Sequence, residues 1–218
     1  DNRDIRDVKS EELPEFDILT GGFPCQSFSI IAQNPKRLGV KDERGKLFFE
    51  MCRILRERQP KCFIAENVKG ILTANKKSAF PLIIKEFEDS GYDVQYRILN
   101  AAAYGVPQKR ERVIMVGFRL DLGIHFEFPD AEIENEENYL PLRRVVEKQV
   151  DEKYFFSERA VAGMMRKRES MNKGRAQDMD KPCNTVGAHL AKVSLNSTDP
   201  VLMEGSRYRR FTPREVAR

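Results

Sequence analysis

Residues 16–29 read FDILTGGFPCQSFS and join a short apolar run to a glycine pair and a Pro-Cys-Gln segment. The apolar run at 16–23 predicts a buried strand that ends in a loop. A lone cysteine is most often a small hydrophobic core residue, and that alternative stays open for Cys25 until its surroundings are considered. The strands and helices that follow therefore decide how this thiol is interpreted.

The first two thirds of the chain alternate predicted strands and helices. Apolar residues at helical spacing predict a helix over 45–59, and KCFIAENV at 61–68 predicts a second buried strand. A second helix and two further strands are predicted at 79–92, 94–101 and 112–119. This alternation predicts an α/β fold, with a mainly parallel sheet that is covered by helices on both faces.

Ligands of such sheets bind beyond the carboxyl ends of the strands. Pro-Cys-Gln follows the first predicted strand, and Glu-Asn-Val at 66–68 ends the second. We therefore expect Cys25 and Glu66 on neighbouring loops of one crevice. A basic segment, QKRER at 108–112, precedes a further strand on the same rim. Taken singly, these motifs also fit a capped strand end and a solvated basic turn.

The character of the chain changes near residue 128. The later segments are short, polar and rich in Gly and Asn, which predicts a smaller, loop-rich lobe. Residues 140–218 carry 17 Lys and Arg against 10 Asp and Glu, so a polyanion would bind here, although a solvated charged face fits the same excess. The final segment, RRFTPREVAR at 209–218, predicts the start of a helix.

Composition argues against several other classes of protein. No stretch approaches the roughly 18 apolar residues of a membrane-spanning helix, and the acidic start does not resemble a signal peptide, so a soluble intracellular protein is expected. The four cysteines and two histidines lack metal-binding spacing, so no metal site is expected. The first residue is not Met and the last helix is unfinished, which predicts a piece of a longer protein.

The motifs Pro-Cys-Gln, Glu-Asn-Val and Gln-x-Arg-x-Arg, followed by the segment at 209–218, resemble those of the cytosine-5 DNA methyltransferase family. The resemblance covers nearly the whole chain. It implies a Rossmann-like sheet of an S-adenosyl-L-methionine-dependent methyltransferase, with an incomplete catalytic α/β domain at 1–127. A target-recognition lobe at 128–208 and a return to the catalytic domain at 209–218 would follow. The implied enzyme methylates a flipped-out cytosine in a specific duplex sequence.

The resemblance implies a role for each motif residue. Cys25 matches the nucleophile that adds to carbon 6 of cytosine, so that carbon 5 can attack the methyl group of S-adenosyl-L-methionine. Glu66 would bind the N3 and amino edge of the base, and Asn67 would brace its loop. Arg112, and secondarily Arg110, would bind the cytosine carbonyl oxygen, because a guanidinium gives directional hydrogen bonds.

The resemblance also implies the contacts with DNA. The segment at 27–45 would close over the flipped base, and its position beside Cys25 favours this role over that of a simple surface loop. In the recognition lobe, the polar segment at 172–189 has side chains that suit base edges, although an ordinary polar loop is the alternative. The residues assigned to DNA contacts, besides Asn67, are Gln26, Ser27, Ser29, Arg44 and Arg175.

For the cofactor the resemblance is incomplete. Asp4 and Ile5 match the adenine-binding pair of the family, and Pro24 lies beside the nucleophile. However, the sequence contains no F-x-G-x-G loop of the kind that binds the amino acid end of S-adenosyl-L-methionine. We therefore expect this chain alone to bind the cofactor poorly and to be inactive.

The resemblance further implies a cytoplasmic, nucleoid-associated enzyme of bacterial or phage origin, monomeric when complete and independent of membranes. It would serve a restriction-modification system, with a restriction endonuclease as its functional partner, or act as a solitary or prophage methylase. Two alternatives stay open: a non-catalytic DNA-binding fragment that needs a second chain, and a tRNA cytosine-5 methyltransferase. The intact set of Cys25, Glu66 and Arg112 favours catalysis, and the basic lobe favours duplex DNA over tRNA.

Overall fold

The computed structural model describes residues 2–24, 43–166, 176–187 and 199–218. The chain divides into two compact units. Unit 1 consists of residues 1–99 and 111–129, and unit 2 consists of residues 100–110 and 130–218. Each unit has a hydrophobic core of its own.

Unit 1 is built on a four-stranded sheet. Its strands are β1 (Ile18–Gly21), β2 (Cys62–Val68), β3 (Tyr92–Asn100) and β5 (Glu111–Arg119). The short strand β4 (Gln108–Lys109) lies between β3 and β5 in the chain but belongs to unit 2. They lie in the order β1-β2-β5-β3. β1 is parallel to β2, whereas β5 is antiparallel to β2, so the prediction of a mainly parallel sheet is wrong. Only residues 101–110 separate β3 from β5, whereas a parallel crossover needs a dozen residues or more.

Helices α1 (Glu43–Arg58) and α2 (Ala79–Glu88) pack on one face of this sheet. On the opposite face, Ile18, Ile64 and Val68 are exposed, so helices on both faces are not found among the described residues. The strand order explains why both helices lie on one face. The connections from β1 to β2 and from β2 to β3 proceed in the same direction across the sheet, and connections of the same handedness then lie on the same face.

Helix α1 illustrates how the sequence determines an element. Its buried residues Phe48, Met51 and Leu55 recur at helical spacing and face the core. After the helix, Gln59 adopts a left-handed φ of 47°, and its side-chain amide donates to the Leu55 carbonyl at 2.9 Å. Pro60 follows and disfavours continuation of the helix.

No helix among the described residues is long and apolar enough to cross a membrane.

Aromatic rings form the centre of the unit 1 core. The ring centroid of Phe63 lies 4.4 Å from that of Phe87 and 5.3 Å from that of Tyr92. Phe63 also faces Gly117 across the β2–β5 pair. A Cβ atom at Gly117 would lie 2.1 Å from the Phe63 ring, so this close approach requires glycine.

Unit 2 consists mainly of short strands and 3-10 turns, around a small core of Leu142, Cys183, Leu202 and Phe211. β4 pairs in parallel with β6 (Cys183–Asn184), and β7 (Leu202–Glu204) forms a hairpin with β8 (Arg207–Arg209). The described residues of unit 2 include two α-helices, α3 (Glu158–Arg166) and α4 (Pro213–Ala217). The predicted helix start near the end of the chain is confirmed, because Thr212 caps α4 in a capping box with Glu215.

Candidate active site

The carboxyl ends of β1 and β2 lie at the same edge of the unit 1 sheet, because the two strands are parallel neighbours. The Glu-Asn-Val motif occupies the end of β2, and Phe23 and Pro24 continue from β1. The sequence motifs therefore meet at one edge, as far as residue 24. The predicted site residues Cys25, Gln26, Ser27 and Ser29 lie outside the described residues.

Asn67 joins the two motifs. It is 3% exposed, and its Nδ2 donates a hydrogen bond to the Phe23 carbonyl at 2.8 Å. Gly22 runs beside the same strand, since a Cβ atom there would lie 3.7 Å from Glu66 Oε2. The residues that precede Cys25 are thus held against Glu66 and Asn67.

Arg112 lies on β5 in register with Val68 at the end of β2. Its Nε atom lies 2.7 Å from Glu66 Oε1, with the Glu66 side chain 43% exposed and that of Arg112 18% exposed. The buried Nε nevertheless makes no hydrogen bond to any described residue. The ion pair therefore places a carboxylate acceptor beside an N–H donor. This arrangement suits a ligand that has both a hydrogen-bond donor and a hydrogen-bond acceptor.

A second ion pair flanks the first one. Lys69 Nζ donates to both carboxylate oxygens of Glu111, at 2.8 and 3.0 Å. Lys69 directly follows β2, and Glu111 directly precedes Arg112, so the pair connects the ends of the strands that carry Glu66 and Arg112. No pattern in the sequence predicts this pair, because its two residues lie 42 positions apart in the chain.

The thiols Cys52, Cys62 and Cys183 are described, and all three are buried. Burial raises the pKa of Cys52 and of Cys183 to about 12, and it also raises the pKa of Cys62. The thiolate is the reactive form of cysteine, so these residues are inert at neutral pH. Within the described part of the chain, no cysteine is suited to nucleophilic catalysis.

A family model of the C-5 cytosine-specific DNA methylases matches residues 1–218. The chain belongs to the C-5 cytosine-specific DNA methylase family. The Type II methyltransferase M.FnuDI of Fusobacterium nucleatum is 53% identical over 139 residues, which are 63% of this chain and 40% of that protein. M1.ScrFI of Lactococcus lactis subsp. cremoris is 36% identical over 224 residues, 99% of this chain and 56% of that protein. The methylase chain thus spans about half the length of the curated relatives it matches.

Solved structures confirm the predicted methyltransferase fold. The S. pombe Dnmt2 methyltransferase aligns with a TM-score of 0.71 at 19% identity, over 100% of this chain and 70% of that chain. The methyltransferase EhMeth of Entamoeba histolytica aligns with a TM-score of 0.69 at 17% identity, over 98% of this chain and 68% of that chain. At these identities the likeness concerns the fold alone.

The predicted adenine-binding pair of the methylase lies at the start of unit 1. Asp4 accepts from the Arg6 backbone N–H and forms an ion pair with the Arg6 guanidinium at 2.7 Å. Hydrogen bonds from the side chain and backbone of Arg6 lower the pKa of Asp4 to about 2. Ile5 lines a cavity of about 430 Å³ whose walls are mostly apolar. The carboxylate is thus ionised next to an apolar cavity.

The QKRER motif of the methylase is shared between the two units. Gln108 to Arg110 belong to unit 2, whereas Glu111 and Arg112 belong to unit 1. In unit 2, the Arg110 backbone N–H donates to Asn100 Oδ1 at 3.1 Å. Gln108 Oε1 accepts from the Val186 N–H at 3.2 Å, a role in unit 2 that the sequence analysis did not assign.

Two predicted DNA contacts remain. Arg44 lies in the first turn of α1, which begins at Glu43, so the predicted loop over 27–45 ends earlier than expected. Arg175 lies outside the described residues.

Proposed function

We propose that the complete protein is a DNA (cytosine-5-)-methyltransferase that methylates a flipped-out cytosine through a covalent adduct with Cys25. The observation that carries this proposal is the Glu66–Arg112 ion pair at the strand edge, with Asn67 holding the segment that leads to Cys25 beside it. The described residues that precede Cys25 thus lie beside Glu66 and Asn67, which supports the proposal. Family membership supplies the reaction class.

Cys25 is the proposed nucleophile. The other three thiols are buried with raised pKa values. Cys25 instead follows a segment, Gly22 to Pro24, that is held beside Glu66 and Asn67. Its thiolate adds to carbon 6 of cytosine, and carbon 5 gains the nucleophilic character that it lacks in the free base. After methyl transfer, the proton on carbon 5 leaves, the bond between sulfur and carbon 6 breaks, and the thiolate is released.

Glu66 and Arg112 are the proposed ligands of the base. A cytosine presents an amino donor on one edge and a carbonyl acceptor on another. These match a carboxylate oxygen of Glu66 and the Nε–H of Arg112, which makes no hydrogen bond to a described residue. Both groups lie on paired strands, so their spacing is set by the sheet rather than by a loop. Fixed donors and acceptors of this kind stabilise developing charge without reorganisation.

The residues present fit one part of S-adenosyl-L-methionine. Ile5 would pack on the adenine, and the Asp4 carboxylate has lone pairs beyond those used by Arg6 to accept from the adenine amino group. No F-x-G-x-G loop occurs in this sequence, so these residues account for the adenine end only. The cofactor, when bound, supplies the methyl group that carbon 5 receives.

We assign duplex DNA as the substrate and residues 128–208 as the part that reads its sequence. This assignment is supported by the excess of basic residues in 140–218. Relatives are Type II methyltransferases, which supports a modification role beside a restriction endonuclease in a bacterial cytoplasm.

The proposal is tested by covalent trapping. In the complete protein, a duplex with 5-fluorocytosine at the target position should form a stable adduct, because fluorine on carbon 5 cannot leave as a proton does. Cys25→Ser should abolish both the adduct and methyl transfer while it retains DNA binding, whereas Cys62→Ala serves as the control and should still form the adduct. An adduct in Cys25→Ser, or one that maps to another cysteine, would contradict the assignment.

A further inference from the structure

Residues 75–77 form a left-handed turn between the end of β2 and helix α2. Asn75, Lys76 and Lys77 have φ values of 48°, 54° and 72°, a region that residues with a Cβ rarely occupy. Single residues of this kind occur in turns, but a run of three without glycine is strained. A strained backbone persists only where surrounding contacts impose it.

Hydrogen bonds hold this turn in place. The backbone N–H of Lys77 donates to Ala74 O and that of Ser78 donates to Asn75 O, both at 3.1 Å. The side chains of Asn75 and Ser78 bond to each other at 2.7 Å. Ser78 is the residue before α2, yet its side chain makes no capping bond to the helix. The first N–H groups of α2 therefore add partial positive charge next to the turn.

Lys76 and Lys77 carry the two exposed charges of the turn. Elsewhere in unit 1, exposed lysines typically have a carboxylate partner, as in the pairs Lys61–Asp17 and Lys85–Asp89. The side-chain ammonium groups of Lys76 and Lys77 make no hydrogen bond or ion pair with any residue that the structure describes. The strained backbone thus presents adjacent cations whose charge no described carboxylate neutralises.

We propose that the turn at 75–77 is a contact point for the phosphate backbone of the duplex, with Lys76 and Lys77 as the phosphate ligands. The turn follows the strand that carries Glu66, after a single 3-10 turn at Lys69–Leu72. A backbone contact there would set the register of the duplex relative to Glu66, since phosphate contacts position a protein on DNA without reading bases. This inference rests on the proposed function, because it takes duplex DNA as the ligand.

The test is the salt dependence of DNA binding by the complete protein. For Lys76→Gln/Lys77→Gln, the slope of log K against log salt concentration should become shallower by about 1 for each lysine that contacts a phosphate. Affinity should fall by the same factor for a target duplex and for a random one. Lys76→Arg/Lys77→Arg, which keeps both charges, should retain the slope of the parent protein.

Lys61→Gln/Lys85→Gln is the matched control, because it removes the same net charge from exposed, ion-paired lysines of the same unit. It should leave the slope unchanged. One outcome refutes the phosphate contact alone: the parent protein binds and methylates DNA, but the salt slope of Lys76→Gln/Lys77→Gln equals that of the parent or changes no more than that of the control. The proposed function then stands. If the parent protein neither binds nor methylates DNA, both fall.

Discussion

The buried pair of Arg209 and Glu215 joins β8 to helix α4 within unit 2. Two guanidinium nitrogens of Arg209 donate to the two oxygens of Glu215, at 2.8 and 2.9 Å. The side chains are 1% and 0% exposed. The carboxylate also accepts from the backbone N–H groups of Thr212 and Glu147, at 2.8 and 2.9 Å. The pair thus secures segments that lie far apart in the chain.

Arg209→Met should lower the free energy of unfolding of unit 2 by about 3–5 kcal/mol, the usual result of leaving one member of a buried ion pair without its partner. The two backbone donors to Glu215 remain, but they do not supply the missing positive charge. The loss of unfolding free energy for Glu215→Gln should lie near the lower end of that range, because Glu204 still pairs with Arg209 at 2.8 Å. Glu204 is 46% exposed, so the control Glu204→Gln should cost less than about 1 kcal/mol.

Hydrogen exchange in the complete protein measures these changes locally. The amide of Val216, which bonds to the Thr212 carbonyl, and the amides that bond to Glu215 should exchange faster in proportion to the lost stability. Arg209→Met/Glu215→Gln should recover part of the loss, since it leaves no buried carboxylate without its cation and the amide oxygen can still accept from a backbone N–H. If Arg209→Met accelerates exchange no more than Glu204→Gln does, the reasoning is refuted.

Acid should remove the contribution of Glu215. Burial raises the pKa of this carboxyl, but hydrogen bonds from Arg209 and from two backbone N–H groups outweigh burial and hold the pKa below its usual range. Its stabilisation is therefore fully present above the unfolded value of about 4.3, and it is lost as the pH falls through the lower, folded value. The stability difference between the parent protein and Glu215→Gln should shrink over that interval, and a constant difference would contradict the assignment.

The remaining predictions concern unit 1. Gly117→Ala should destabilise the protein by about 1–3 kcal/mol in urea unfolding, because its Cβ would overlap the Phe63 ring. Gly70→Ala is the control, because its Cβ would meet only Val68, at 4.0 Å. Equal losses of stability in the two variants would contradict the packing argument. Asn67→Ala leaves the Phe23 carbonyl without its donor and should cost about 1–3 kcal/mol. It should also slow trapping by the 5-fluorocytosine duplex, so an unchanged trapping rate would separate Asn67 from the nucleophile loop.

Local patterns were sufficient to predict the α-helices and strands of unit 1. Helical spacing over 45–59 predicted α1, and the apolar run at 61–68 predicted β2, each within two residues of its ends. These predictions succeeded because burial on one face imposes a period on neighbouring residues. The approach of Gly22 and Phe23 to the Glu-Asn-Val motif also followed, since carboxyl ends of parallel neighbours share an edge.

Other features depend on contacts between distant positions and leave no period in the sequence. The antiparallel course of β5 and the single helical face follow from strand order, which no local segment records. The same holds for the hydrogen bond from Asn67 to Phe23 and for the pairing of Lys69 with Glu111.

By itself, the sequence determined the helices and strands of unit 1 and the motifs that identify the family, because both are properties of neighbouring residues. Only the tertiary structure decided that Arg112, and not Arg110, belongs to the same unit as Glu66. It also showed that the helix start at 209–218 contains a buried ion pair. The charge of Arg209 can be buried there because Glu215 pairs with it.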